Sequence, residues 1–129
     1  MNFKKVSNLT GWLVFAISFI VYFFSVERTG SLWDCGEFIT GAYKLEVVHP
    51  PGAPLFLLIG RIFTLFAEVL SNDPADIAFA VNIMSGVCGA FTAAFVAWST
   101  IMLSKLATVG REDIVDQGQV FSLAGAGLV

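Results

Sequence analysis

An all-α protein embedded in a membrane is the fold class this sequence predicts, and three observations carry the expectation. Hydrophobic residues make up 57% of the 129 and charged ones 13%, against about a quarter charged in soluble domains. Mean hydropathy is +0.81, and 13 residues are phenylalanine. Two runs free of charge, 9–26 and 77–103, come close to or exceed a hydrocarbon layer of about 30 Å when wound as helices.

The first run follows Lys4 and Lys5. Its uncharged core is longer than the ~7–15 residues of a signal peptide, and Phe24-Ser25-Val26 offers no small-x-small cleavage site. It reads as a spanning helix whose lysines keep the N-terminus in the cytoplasm, so that Glu27 onward emerges on the outer face. A second apolar stretch, 54–70, is interrupted by Arg61. Were it to cross, the acidic turn 71–76 would be cytoplasmic and Lys105 and Arg111 outside, against the positive-inside rule. Two crossings are therefore expected, 9–26 and 77–103, with 27–76 forming an outer-face loop of interfacial helices. That placement spares Arg61 the ~2.5–3.5 kcal/mol cost of the bilayer centre and lets its head reach phosphates.

Within 77–103, small residues recur four apart at Ser85, Gly89, Ala93 and Ala97, and again at Gly86, Ala90 and Ala94. Two such rows allow another helix to approach closely. After a polar break at 111–119 the chain turns apolar from 120 to 129, opening a further span. A chain that stops there is expected to be the N-terminal portion of one larger polytopic domain, with its remaining helices as partners.

Several functions are excluded. Seven basic against ten acidic residues, net −3, leave no basic stripe for nucleic acid. Cys35, Cys88 and a single histidine fall short of a four-ligand zinc site, so no metal is expected and both thiols read as free. The sequence holds no phosphate-cradling glycine loop, nucleophile elbow or metal-binding histidine pair.

The chemistry concentrates between Trp33 and Pro54. In Trp33-Asp34-Cys35-Gly36-Glu37-Phe38 two carboxylates stand three apart, on one face of a helix running from about 34 to 47. They suit proton chemistry, but equally a capping box, with Asp34 at the N-cap and Glu37 at N3. Trp33 suits an aromatic interface belt. Pro50 ends the helix before His49, and His49-Pro50-Pro51-Gly52-Ala53-Pro54 forms an elbow that places Pro54 in the first turn of the next helix. His49 either titrates or binds phosphate near neutral pH, or donates to a backbone carbonyl. Arg61 either pairs with an anion, a lipid-linked phosphate or a loop carboxylate, or snorkels. Lys44 and Glu46 read as solvated charges.

These two loop motifs, followed by apolar 55–66 with Gly60-Arg61, resemble the start of a large bacterial membrane family related to a eukaryotic transmembrane protein O-mannosyltransferase. More distantly the order is similar to the C-type glycosyltransferases, over roughly 11–105. The resemblance implies the N-terminal part of a C-type multi-span helical fold in a bacterial inner membrane. It implies transfer of a sugar, mannose included, from a polyprenyl-phosphate donor to a hydroxyl of an acceptor protein or glycan at the outer face. No cofactor is implied beyond that lipid-linked substrate. Asp34 matches the first-loop carboxylate that acts as base, and Glu37 assists or positions. The classical enzymes carry adjacent Asp-Glu, so which carboxylate is the base stays open. Their elbow also continues to a lysine, which Gly52-Ala53-Pro54 lacks, leaving His49, Arg61 and Trp33 as the substrate-contacting candidates. A polytopic transporter and a non-enzymatic assembly subunit are the competing classes.

Overall fold

Five helices and no strand are present among the described residues: α1 (Phe3–Ser25), α2 (Cys35–Lys44), α3 (Pro54–Leu70), α4 (Pro74–Thr108) and α5 (Gln117–Ala126). The structure is a computed structural model that describes residues 2–50, 52–71, 73–110 and 115–128. Pro51 of the elbow, Asn72 of the acidic turn and Arg111 of the basic segment lie outside the described residues.

α1 and α4 are long and apolar enough to cross a membrane, and fewer than a quarter of the side chains in either apolar stretch are buried. A core helix of a soluble protein would be buried on most sides. Here Leu9, Ile17, Ile20, Phe24, Val96 and Leu103 are exposed, which is stable only where the surroundings are apolar. The protein is thus an all-α membrane protein. α3, at 17 residues, spans about 25 Å.

Both long apolar helices outrun their uncharged cores. α1 starts at Phe3 and takes in Lys4 and Lys5. α4 starts at Pro74 because Asp73 caps it, its Oδ1 accepting the Ala75 N–H at 2.9 Å, with proline suited to the first helical position. Asp76 in its first turn and Lys105 in its last complement the helix dipole. α5 opens three residues before the expected 120, because Asp116 and Gln119 form a capping box.

Two compact units are distinguished: Met1–Val21 with Cys88–Val129, and Tyr22–Val87. In the first, the Trp98 indole donates to the Ser7 carbonyl at 3.1 Å, and a Cβ at Gly11 would run into that indole. Trp12 meets Trp98 edge-on at 5.7 Å, and Phe15 lies 4.5 Å from Phe91. Of the two small-residue rows, Ala90, Ala94 and Ala97 are buried in this unit, in line with buried Ile101. Gly89 and Ala93 are half-buried and, in the other unit, Ser85 is exposed. Both rows are therefore buried only in part, the first at Ala97 and the second at Ala90 and Ala94.

The second unit holds the loop. Its core is Ala42, Val48, Leu57, Val81 and Met84, drawn from α2, the segment after it, α3 and α4. The close pairing of α2 with α3 depends on glycine: a Cβ at Gly60 would lie 2.8 Å from the Ala42 Cβ, and one at Gly41 2.6 Å from Val48. Gly86 faces Tyr22 and Val26, as expected of a small-residue contact. Asn82, inside the otherwise apolar run of α4, donates to the Glu27 and Thr29 carbonyls at 3.0 and 3.2 Å and accepts the Cys35 thiol at 3.7 Å. It ties the post-α1 loop and the start of α2 to α4.

Candidate functional site

Trp33 precedes α2 in a left-handed conformation, φ +68°, which bulky residues adopt at a cost. Its side chain is 94% exposed. Asp34 occupies the N-cap position but its side chain makes no cap hydrogen bond. Only its carbonyl is used, accepting the Phe38 N–H at 3.1 Å. Of the two readings of this spacing, the capping box is not formed, because Glu37 turns away from the helix start towards His49.

The end of α2 makes that turn possible. Expected to run to 47, the helix stops at Lys44, where Leu45 is left-handed (φ 54°, ψ 41°) and the Glu46 N–H bonds the Gly41 carbonyl at 3.0 Å, a Schellman closure. Val48 folds back onto Gly41, and His49 lands beside Glu37. A turn then closes through the Gly52 N–H to the His49 carbonyl at 3.0 Å, with Gly52 at φ +81°, the region that favours glycine. Pro54 takes the first turn of α3, as expected.

Glu37 grips His49 by two groups. Its Oε1 accepts the His49 main-chain N–H at 2.8 Å, and the Nδ1 lies 3.0 Å from Oε1 and 2.9 Å from Oε2. The backbone donor, followed by the imidazole, holds the Glu37 carboxyl below its ordinary value. The same carboxylate raises the imidazole above 6.5, with a smaller push from Asp34. Phe38 braces the ring edge-on at 5.9 Å. The alternative of His49 donating to a backbone carbonyl is not what the geometry shows. A shallow depression of about 460 Å³ runs beside the site along Glu37, Thr40 and Glu46.

Arg61 is not brought to these residues. Its Nη1 lies 3.5 Å from Glu68 Oε1 and donates to Thr64 Oγ1 at 3.2 Å, and its guanidinium lies over the Tyr43 ring at 5.2 Å. The anionic partner expected for it exists, but it is a carboxylate of α3 itself and not one of the loop. Its legible signal was the seven-residue spacing, two turns along one face. Asn82 was also missed; its signal was a lone amide in an apolar run. Lys44 and Glu46 are exposed, 3.9 Å apart. Cys35 and Cys88 are free thiols, and no cluster able to hold a metal occurs among the described residues.

Fold and site together define a helical membrane protein with an acid–imidazole cluster in the loop after its first apolar helix. The chain belongs to the family described as the N-terminal domain of the protein O-mannosyl-transferase TMEM260, which matches residues 34–129. It is 36% identical over 92 residues to "Protein O-mannosyl-transferase TMEM260" of Mus musculus, covering 70% of this chain and 12% of that protein. It is 31% identical over 84 residues to the protein of the same description in Dictyostelium discoideum, covering 65% and 10%. The matches thus span about a tenth of the length of these relatives. No solved structure matches.

Proposed function

We propose that this chain supplies the first outer-face loop of a multi-pass membrane glycosyltransferase. The enzyme moves a sugar, mannose in the relatives' description, from a polyprenyl-phosphate donor to a hydroxyl of a protein acceptor. The observation that carries the reading is Asp34: the family match opens on it, and its carboxylate is not consumed in capping α2. In the step proposed, the acceptor oxygen attacks the anomeric carbon and its proton passes to Asp34. The bond to the phosphate oxygen breaks, and polyprenyl phosphate leaves with the electron pair. A positioned base of this kind is worth about 10²–10⁴ in rate.

The topology proposed is two crossings, α1 and α4, with a cytoplasmic N-terminus and residues 27–76 outside, followed by a further span from about 120. The C-type architecture and placement in a bacterial inner membrane rest on the sequence resemblance alone, since both relatives are eukaryotic. Transfer of mannose to an acceptor peptide by the full chain carrying Asp34→Asn tests the reading. With no cap bond to lose, the variant is expected to fold as before and to turn over at least about a hundredfold more slowly. Near-normal turnover would remove Asp34 as the base.

A further inference from the structure

We propose that Glu37 is a positioning residue acting through His49, and that His49 Nε2 is the protein's contact to the phosphate of a polyprenyl-linked donor. The inference rests on the transferase reading above for the identity of the phosphate, but its geometry stands apart from it. Glu37 spends both carboxylate oxygens on His49, one of them shared with the main-chain N–H. These donors hold its carboxyl below the ordinary value, which makes it a weaker base towards an acceptor hydroxyl.

What the grip achieves is orientation. With Nδ1–H directed at Glu37, the imidazole is fixed in one tautomer and presents Nε2 on its opposite side. Phe38 stands edge-on to the ring and limits its rotation. Nε2 meets no hydrogen-bond partner among the described residues, and the side chain is 53% exposed. Glu37 and, farther off, Asp34 are the titratable groups whose charge bears on the ring, and both favour the imidazolium. An imidazolium with one N–H anchored and the other facing outward is a directional donor to a phosphoryl oxygen. Arg61, the other cation of this unit considered for the role, already has a carboxylate, a hydroxyl and an aromatic face as partners.

The test is binding of polyprenyl-phosphoryl mannose, without acceptor, to the full chain in phosphatidylcholine nanodiscs from about pH 5.5 to about 8.5. The probe is a phosphodiester whose charge does not change over that range, so only the protein titrates. Affinity is expected to be highest where His49 is protonated and to fall as pH rises through its raised value. His49→Gln is expected to weaken binding about tenfold at low pH and to remove the pH dependence. Glu37→Gln is expected to keep low-pH affinity but to move the fall to lower pH, and Glu37→Asp to restore it partly. In the His49→Gln background, Glu37→Gln is expected to change affinity no further.

A pH profile unmoved by Glu37→Gln, or an undiminished effect of Glu37→Gln without His49, would overturn the proposal. Phosphatidylglycerol offered in place of the donor is expected to give no saturable response; an equal response to it would assign the contact to bilayer headgroups instead. Since binding is read without transfer, an inactive wild type that still shows these shifts would sink the transferase reading and leave the Glu37–His49 assignment standing.

Discussion

Arg61 and Glu68 stand two turns apart on α3 and meet at 3.5 Å, each side chain about a quarter exposed (26% and 29%). The pair changes the weight of the topology argument, since an arginine with its own carboxylate is a smaller burden in an apolar setting than a lone one. Breaking the pair leaves a partly buried guanidinium leaning on Thr64 and Tyr43. Glu68→Ala is expected to lower stability by about 1–2 kcal/mol, between exposed and fully buried pairs. Thermal unfolding in detergent of Glu68→Ala, Arg61→Ala and the double variant checks this. Additive effects would mean that the two side chains do not interact.

The α2–α3 contact depends on Gly60. Alanine gains up to about 1 kcal/mol in helix propensity, but its methyl would sit 2.8 Å from the Ala42 Cβ, and overpacking costs about 1–3 kcal/mol. Gly60→Ala is therefore expected to destabilise the protein. Gly125→Ala serves as the control, because a Cβ there meets nothing within 4 Å, and it is expected to be neutral or mildly stabilising. Equal unfolding midpoints for the two variants would refute the close approach.

The Glu37–His49 pair has a pH window. Glu37 is depressed, so its contribution is present above 4.5 and lost as pH falls through the lowered value. His49 is raised, so its contribution is full below 6.5 and lost as pH rises through the higher value. Protection of the His49 amide against hydrogen exchange, corrected for intrinsic rates, is expected to peak between 4.5 and 6.5 and to flatten in Glu37→Gln. A peak retained in that variant would mean that the protection does not come from the Glu37 carboxylate.

Topology is read by cysteine labelling from outside. With α1 and α4 as the two crossings, a probe at Asn72 is expected to react and one at Thr108 to stay protected until the membrane is permeabilised. The opposite pattern would mean that α3 crosses as well, carrying the Arg61–Glu68 pair through the bilayer.

Composition and periodicity by themselves settled the environment and the two long helices, because a charge-free run of bilayer length has few stable states other than a helix in lipid. Proline placement likewise fixed where α3 starts, since its missing N–H and locked φ act locally. Resemblance in the loop motifs placed the chain near its family before any geometry was known. The sequence did not decide between two uses of the Asp34/Glu37 spacing, because capping and catalysis want the same residues three apart. Only the tertiary structure set the capping box aside: the left-handed Leu45 ends α2 early, Val48 packs on Gly41, and His49 arrives where it competes for Glu37. The same held for Arg61, whose partner was in plain sight on its own helix, and for Asn82, whose amide has meaning only once the loop carbonyls of Glu27 and Thr29 are folded against it. A carboxylate bonds whichever donor the fold delivers within 3 Å, and which donor that is depends on chain reversals that no local pattern encodes.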